Sequence, residues 1–439
     1  MKDLTKGNPL RIICMFSLPI FIGCLFNLAY SIADIKILGY FIGKDALAAA
    51  GSVSGLYDFL NSFMIGLTNG FGVICAVRYG ASDMEGTRKA FSNSLFLAFV
   101  FSVTISSLCL IFMDPVLIIL NVPVNVSSDA KTYISVMIAG LVFSALYNCL
   151  AASLRAVGDA FTPLIFLILS TVLNILMDIL LVGSFKLGPF GAALATVISQ
   201  IICVSACFLY TFIRYKRLRF SAFEMIPREK KTLSSLISSG ISMALMSSMV
   251  AFGTLSLQSA INKLGDNIVV AHSATRKLSG IYMLPFGVFG TAMATYSGQN
   301  YGAGKKDRIK EGIRITFFIT CIYSLICVLV SYTVCPYIIE AITSTNEPEI
   351  INNAVLYQKF DTLFYFVPAI ISIYRNSLQG MGEHRLPVIS SFMEFAGKIL
   401  IAVFLTPVLK YWGIILSEPI VWVIMVIPLI YGMRRKMKE

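Results

Sequence analysis

The sequence predicts an all-α polytopic membrane protein, with twelve transmembrane helices in two six-helix lobes related by a pseudo-two-fold axis along the membrane normal. Hydrophobic residues make up 57% of the 439 positions and charged residues 13%, and the mean hydropathy is +0.81. Soluble globular proteins do not have this composition. Twelve apolar segments are long enough to span a bilayer, and several motifs of the first half recur in the second half at a nearly constant offset. Two halves of six spans each enter the membrane from the same side, which requires an axis along the membrane normal.

The predicted spans lie near residues 12–38, 46–76, 90–113, 131–152, 161–184, 189–213, 233–260, 267–297, 312–335, 354–374, 386–407 and 412–433. The first segment is longer than the apolar core of a signal peptide and lacks a small-residue cleavage site, so we expect it to remain as a helix. One long hydrophilic stretch, RYKRLRFSAFEMIPREKK, separates the halves. We therefore predict an N-lobe over residues 1–213, a cytoplasmic linker over 214–231 and a C-lobe over 232–439.

Proline and glycine residues mark the first two spans. Pro19 and Gly23 interrupt span one, so that it can kink. Small residues in span two, Gly66, Gly70 and Gly72, allow neighbouring helices to approach closely. These residues indicate a closely packed bundle that contains a helix able to bend.

A polar turn with the pattern L-x-x-x-G-D-x-x-x-P precedes span five, and its glycine and proline are typical of a break before the next helix. The turn recurs in the second half with Glu in place of Asp: Leu154, Gly158, Asp159 and Pro163 correspond to Leu378, Gly382, Glu383 and Pro387. The Tyr-Gly-Ala motif at 79–81 likewise recurs at 301–303. A substrate cavity is expected between two such halves, and their rocking about a central site is the usual geometry of alternating access. A transporter is therefore the leading function before any family is considered.

The net charge of +12 follows membrane topology and gives no indication of nucleic-acid binding. With the N-terminus in the cytoplasm, 25 of the 35 Lys and Arg residues fall in internal segments and 6 in external ones. This bias predicts that both termini are cytoplasmic. The ten cysteines lie almost wholly in apolar spans without a C-x-x-C pair, so we predict small buried hydrophobic residues instead of a metal site.

Polar residues lie at matched depth in the first half. Asp34 and Asp178 are each about five residues from the external end of their spans, and Thr196 is about six residues into span six, which puts each about 8–9 Å below the external boundary. Asn174 lies one turn deeper than Asp178, on the same helix face. Two carboxylates, an amide and a hydroxyl form a plausible site for H⁺ or Na⁺, because a carboxylate within a bilayer is costly and functional by default. The alternatives are a boundary position beside Lys36 for Asp34 and a helix-packing hydrogen bond for Asp178.

The second half is not expected to hold an equivalent cluster. Lys398 stands at the position that corresponds to Asn174, and Glu394 precedes it by one turn, the favourable order for an ion pair along a helix. We interpret that pair as structural. The other polar candidates for the substrate cavity are Gln258, His272 and Arg276. Arg276 is expected either to pair with Glu394 or to line the cavity, and for His272 a role in helix packing is favoured over one as a proton carrier.

Five stretches carry a family resemblance: YSIADIKILGYFIGKDALAAAGS (30–52), NSFMIGLTNG (61–70), the R-x-x-G-D turn, NILMDILLVG (174–183) and GQNYGAGKKDR (298–308). Together with the two-half layout they resemble the multidrug and toxic compound extrusion (MATE) family over almost the full length. The resemblance implies cation-coupled export without a cofactor. It places the family's N-lobe cation residues on Asp34, Asn174, Asp178 and Thr196, which in many members take up H⁺ or Na⁺. Some members carry an acid on the seventh span, where this chain offers only Gln258, so a C-lobe cation site is not expected.

The predicted function is secondary active antiport, in which bulky amphipathic organic compounds of cationic character are exported in exchange for H⁺ or Na⁺. The alternative is a lipid-linked saccharide flippase of the same broad superfamily, which tends to have a more strongly cationic cavity. A major-facilitator transporter is disfavoured because its Gly-rich Asp-Arg motif after span two is missing, and an enzyme because the two histidines, His272 and His384, are far apart in sequence. A channel would conduct without coupled transport. We expect a monomer in a bacterial plasma membrane that contacts small-molecule substrates and lipids and does not bind nucleic acid.

Overall fold

The protein is almost entirely helical in the computed structural model, which describes residues 3–41 and 43–438. The α-helices are, in chain order, α1 Pro9–Phe41, α2 Lys44–Gly80, α3 Met84–Ile111, α4 Met113–Ile119, α5 Ser127–Ala156, α6 Phe161–Asp178, α7 Gly188–Arg214, α8 Ala222–Met225, α9 Lys230–Ile261, α10 Asp266–Gly302, α11 Lys306–Thr333, α12 Cys335–Thr343, α13 Pro348–Thr362, α14 Phe366–Gly380, α15 Arg385–Leu400, α16 Thr406–Leu409 and α17 Tyr411–Lys438. Short 3₁₀ turns occur at Val124–Val126 and Lys216–Leu218. Within the described ranges, 11 helices are long and apolar enough to cross a membrane. The predicted all-α, polytopic fold class is confirmed.

The tenth predicted span, 354–374, is not one continuous helix. α13 and α14 are separated by a short turn in which the amide of Val367 donates to the carbonyl of Phe364 at 2.8 Å. Pro368 explains the break, because a proline has no N–H to donate and its ring clashes with the carbonyl four residues before it. That carbonyl belongs to Phe364. The predicted span 354–374 therefore comprises two helices.

π-helical turns follow α6 and α15 at equivalent places in the two halves. They occupy Ile179–Ser184 and Ile401–Leu405, which correspond to each other in the sequence repeat. Such turns are rare and occur frequently next to functional sites. The first begins directly after Asp178. Because both halves contain such a turn at corresponding positions, the repeat seen in the sequence is also present in the backbone.

The chain forms two compact units. Unit 1 comprises Met1–Asp3 and Leu18–Ala244, and unit 2 comprises Leu4–Ser17 and Leu245–Glu439. The first part of α1 therefore belongs to unit 2, and the first part of α9 belongs to unit 1. The lobe boundaries expected from the sequence stay a prediction.

Small residues of α2 allow close helix packing inside unit 1. A Cβ atom added to Gly66 would lie 2.6 Å from the carbonyl oxygen of Met243, so any larger side chain there must displace the backbone of α9. One turn further along α2, the carbonyl of Gly70 accepts a hydrogen bond of 2.8 Å from the hydroxyl of Ser239. Backbones that approach this closely are typical of small-residue interfaces between membrane helices.

The predicted linker is docked on α3 of unit 1. Phe220 packs edge-on against Phe91, with ring centroids 5.6 Å apart. Glu224 accepts a hydrogen bond of 2.8 Å from the amide of Ser221, which caps α8, and forms an ion pair of 2.7 Å with Arg88. The hydrophilic composition of this stretch therefore reflects capping and ion pairing at the end of the helical bundle.

The sequence motif at 298–308 holds the N-terminal segment of the chain within unit 2. Its side chains bind the backbone of residues 4–7 through three main hydrogen bonds: Leu4 N to Gln299 Oε1 at 2.9 Å, Lys305 Nζ to Thr5 O at 2.9 Å and Arg308 Nη1 to Gly7 O at 3.0 Å. Gln299 is fully buried. Because these bonds are made to backbone atoms of residues 4–7, the motif fixes the path of that segment whatever side chains the segment carries.

Candidate functional site

α6 carries two polar side chains in an otherwise apolar stretch. Asn174 and Asp178 are 2% and 1% exposed, whereas Leu176 between them is 56% exposed. Residues four apart share a helix face, so this polar face points into unit 1 and the apolar face points outward. Hydrocarbon offers no hydrogen-bond partners, which explains why an otherwise apolar helix is oriented in this way.

Asn174 connects α6 to α7. With its amide nitrogen directed at Asp178, it donates to Asp178 Oδ2 at 3.0 Å, and its oxygen accepts from Oγ1 and the backbone N of Thr196, both at 3.2 Å. This amide orientation is assigned from the neighbouring groups and satisfies both ends of the side chain. The hydroxyl of Tyr30 on α1 lies 3.4 Å from Thr196 Oγ1. Three helices of unit 1 thus meet at one polar cluster.

The carboxyl group of Asp34 on α1 lies close enough to that of Asp178 for the two to interact. A hydrogen bond between two carboxyl groups requires that one of them be protonated, because an ionised carboxylate can only accept. Oδ1 of Asp178 is buried and has no hydrogen-bond partner among the described residues. The pair therefore needs one positive charge, either a proton or a small cation, to offset the repulsion between its members. The described part of the chain holds no group of three or more His, Cys, Asp or Glu suited to a metal ion.

A cavity of about 520 Å³ lies inside unit 1, next to this cluster. We call it the unit 1 cavity. It is lined by residues of α1, α2, α5, α6 and α7, including Asn174 and Thr196. Its lining is rich in amides, hydroxyls and aromatic rings, among them Asn27, Tyr30, Tyr57, Asn61, Ser144, Tyr147, Asn148 and Gln200. Among the described lining residues the charged ones are Asp58 and Arg155.

Arg155 is a cavity residue that the sequence did not identify. By its place after the predicted span 131–152, Arg155 is one of the 25 internal Lys and Arg residues that indicate membrane topology. A usable signal existed, because Ser144, Asn148 and Arg155 follow at spacings of four and seven and therefore share one face of α5. Ser144 and Asn148 are joined by a hydrogen bond of 3.4 Å, and that whole face lines the unit 1 cavity.

Unit 2 contains a buried ion-pair network that is larger than the predicted pair of Glu394 and Lys398. Lys398 lies 2.9 Å from Glu394, as predicted, and also 3.2 Å from Glu418 on α17. Arg276 pairs with Glu418 at 3.3 Å, so the predicted alternative of a pair with Glu394 was wrong. Glu418 could have been found from the sequence, because it is a lone acid in the last apolar span and intramembrane acids are functional candidates by default.

Two further buried polar side chains, Asp361 and the predicted candidate His272, interact with this network. Asp361 on α13 is 2% exposed, its Oδ1 has no partner among the described residues, and it interacts electrostatically with Glu418 and Arg276. His272 is buried with its ring edge-on to Tyr357 at 5.3 Å, and its Nδ1 has no partner in the described part of the chain. Gln258, the third candidate, instead donates to Asn262, which directly follows the end of α9, at 2.9 Å.

Comparisons with known proteins give a consistent result. The sequence model of the MatE family matches residues 19–180 and 241–404. The chain is 30% identical over 307 residues to the "Probable multidrug resistance protein YpnP" of Bacillus subtilis (strain 168), covering 70% of this chain and 68% of that protein. It is 26% identical over 416 residues to "Probable multidrug resistance protein YoeA" of the same organism, covering 93% and 86%. A solved structure described as the "Outward-facing conformation of a multidrug resistance MATE family transporter of the MOP superfamily" matches with a TM-score of 0.90 at 21% identity, over 99% of this chain and 97% of that one. At that identity the structural match shows the fold alone.

Proposed function

The chain belongs to the multidrug and toxic compound extrusion (MATE) family of membrane transporters, and on that premise we propose that it is a secondary active antiporter. It exports bulky amphipathic organic compounds, cationic ones in particular, and exchanges them for H⁺. Two relatives named for multidrug resistance support export of such compounds. Transport proceeds by alternating access of the substrate site to the two sides of the membrane.

The observation that carries this proposal is the buried carboxyl of Asp178, whose Oδ1 has no partner among the described residues and which lies beside Asp34. Held between the two carboxyls, a proton cancels their repulsion and completes the hydrogen bonding of the buried Asp178 Oδ1. When the proton leaves, the repulsion returns and α1 separates from α6, which the interruptions at Pro19 and Gly23 allow. Proton exchange and a change in the position of α1 are coupled in this way. The same oxygens with Thr196 could instead coordinate Na⁺, and the experiment below distinguishes the two ions.

Reconstituted protein tests the coupling. Asp178→Asn should fold and bind substrate, because an amide is close in shape to a protonated acid, and should abolish efflux driven by a proton gradient. Asp34→Asn should be severely impaired. Asp114→Asn is the matched control, since Asp114 is an exposed acid that pairs with Lys131, and it should transport at the wild-type rate.

Two outcomes would overturn this proposal or its ion. Efflux at the wild-type rate in Asp178→Asn would refute the coupling role of the pair. Transport driven by a sodium gradient at clamped pH, and lost in the same variant, would keep the site and replace the proton by Na⁺.

The membrane setting follows from the same premise. The chain is an integral membrane protein, supported by the 11 apolar helices. We infer that it acts as a monomer in a bacterial plasma membrane, surrounded by lipid, with both termini in the cytoplasm, and the charge bias of the loops supports that orientation.

A further inference from the structure

Arg155 is a partly buried cation without a counter-ion among the described residues. Its guanidinium makes one hydrogen bond within that part of the chain, from Nη2 to Asn69 Oδ1 at 3.1 Å, although the group has five N–H donors. No carboxylate of the described residues forms an ion pair with it. The acid closest in sequence, Asp159, is engaged by Tyr215 and by the backbone amides at the start of α6. A charge inside a membrane protein is normally paired with an opposite charge. Among the described residues Arg155 has no such counter-ion, so a bound molecule is a candidate for that role.

Arg155 lines the unit 1 cavity at the end opposite the acids. On α2, Asp58 precedes Asn69, the partner of Arg155, by about three helical turns, which is about 16 Å along a helix. On α6 the same separation lies between Asn174, the neighbour of Asp178, and Pro163. Pro163 belongs to the Arg155 end, because Arg155 lies in the last turn of α5 and Pro163 in the first turn of α6, across the short turn of residues 157–160. Two helices therefore give the same polarity, with carboxylates at one end and a guanidinium at the other.

We propose that Arg155 is a specificity residue that binds an acidic group of the exported molecule, so that the unit 1 cavity takes amphipathic zwitterions and organic acids in addition to plain cations. The inference rests on the proposed export function, because it treats the cavity as a substrate site. A guanidinium binds a carboxylate, phosphate or sulfonate through two parallel hydrogen bonds. The aromatic rings and amides between the two ends accommodate the body of the molecule, and about 520 Å³ is ample for one drug-sized compound.

A pair of dyes that differ in one group provides the test. Rhodamine 110 carries a free carboxylate, and rhodamine 123 is its methyl ester with the same ring system. Binding of each to the purified protein in detergent is measured by fluorescence polarisation. Wild-type protein should prefer the acid. Arg155→Gln should weaken binding of the acid about tenfold or more, which corresponds to about 1.4 kcal/mol, and change binding of the ester less than about twofold. Arg155→Lys, which retains the charge but not the two parallel hydrogen bonds, should recover only part of the preference.

Arg375 is the matched control. It is a partly buried arginine of unit 2 whose guanidinium donates to Ser391 Oγ at 2.9 Å, and Arg375→Gln should leave the ratio of acid to ester binding unchanged. Equal loss of both dyes in Arg155→Gln would overturn the proposal, since it would indicate a structural role. A wild-type protein that binds the ester as tightly as the acid would overturn it without any variant. Because no ion gradient is present, loss of the coupling proposal for Asp178 would leave this result unaffected, and the reverse also holds.

Discussion

Asp159 and Glu383 make the same pair of backbone hydrogen bonds in the two halves of the chain. In each case one carboxylate oxygen accepts from the amides two and three residues further along, at 3.0 and 3.0 Å for Asp159 and 3.1 and 3.5 Å for Glu383. The other oxygen takes a side-chain donor, Tyr215 in unit 1 and Arg435 in unit 2. The repeated Gly-Asp and Gly-Glu turns therefore share one function, which is to cap the helix that follows.

The capping role of Asp159 predicts a stability that depends on pH. Burial alone would raise the pKa of this carboxyl, but hydrogen bonds from Thr162, Tyr215 and the amide of Phe161 lower it below the ordinary value. A carboxyl whose pKa is lower in the folded state stabilises the fold above its unfolded pKa of about 4, and this contribution is lost as the pH falls through the folded value. At pH 7 we expect Asp159→Ala to lose about 0.5–2 kcal/mol, the usual cost of removing a helix N-cap.

Thermal unfolding in detergent at pH 7 and below pH 4 checks this prediction. The difference between wild type and Asp159→Ala should shrink at the lower pH. Asp129→Ala is the control, because Asp129 is an exposed acid in the first turn of α5. A difference that is as large below pH 4 as at pH 7 would argue that Asp159 acts through packing instead of charge.

The polar cluster of unit 1 could be predicted in detail because its signals are local. Asn174 and Asp178 are isolated polar residues in an apolar stretch, and their spacing alone puts them on one helix face. Counting residues from the helix ends then brings Asp34 and Thr196 to the same level. In the structure, hydrogen bonds join Asn174 to Asp178 and Thr196, and Asp34 lies beside Asp178. The depth of a residue in the bilayer follows from the number of residues between it and the helix end, so it can be predicted from the sequence alone.

Pairings between distant helices were harder to predict. Glu418 and Arg276 are far apart in the sequence, and only the packing of α17 against its neighbours makes them partners. The break after α13 was missed because Pro368 follows it by several residues, and a hydropathy window averages across such a turn. Arg155 was assigned to a loop because its position at a helix end does not reveal the direction of a long side chain.

The N-terminal segment should loosen when its clamp is removed. Arg308 donates to the backbone carbonyls of Gly7 and Leu4 at 3.0 and 3.4 Å and to the side chain of Asn300 at 3.2 Å. Arg308→Ala therefore removes the hydrogen bond to Gly7 and leaves the carbonyl of Leu4 with the one from Asn300 at 3.4 Å. We expect faster hydrogen exchange at residues 4–7 and a loss of about 1–3 kcal/mol. Arg314→Ala, which removes an exposed arginine of the same helix, should change neither quantity. Unchanged exchange in Arg308→Ala would show that the segment is held by other contacts.

Membrane topology is open to a direct labelling test. On a background without native cysteines, single cysteines near positions 220 and 435 should react with an impermeant reagent only from the cytoplasmic side. Cysteines near 125 and 345 should react from outside. The expectation follows from the excess of Lys and Arg in the loops assigned to the cytoplasm. The opposite accessibility would invert the orientation, and mixed accessibility within either pair would reject the twelve-span arrangement.

Lys398 should be among the most sensitive positions for stability. It is 2% exposed and bridges Glu394 and Glu418, and Gly253 leaves the space that its side chain occupies. Lys398→Met would leave two buried carboxylates facing each other without a cation between them. Breaking a buried pair in this way costs about 3–5 kcal/mol. We therefore expect low yield and a clearly lower melting temperature for the single variant.

Neutralising the facing acid should reverse part of that loss. In Lys398→Met combined with Glu394→Gln, the network keeps the Arg276–Glu418 pair of 3.3 Å. The two charges that remain from the network, one positive and one negative, are therefore balanced. The double variant should therefore melt at a higher temperature than Lys398→Met alone, because it replaces an unbalanced buried charge with neutral groups. Lys310→Met is the control: it breaks an exposed pair with Asp307, which is worth at most about 1 kcal/mol. If the double variant is no more stable than the single one, Lys398 acts through packing against Gly253 and not through charge balance.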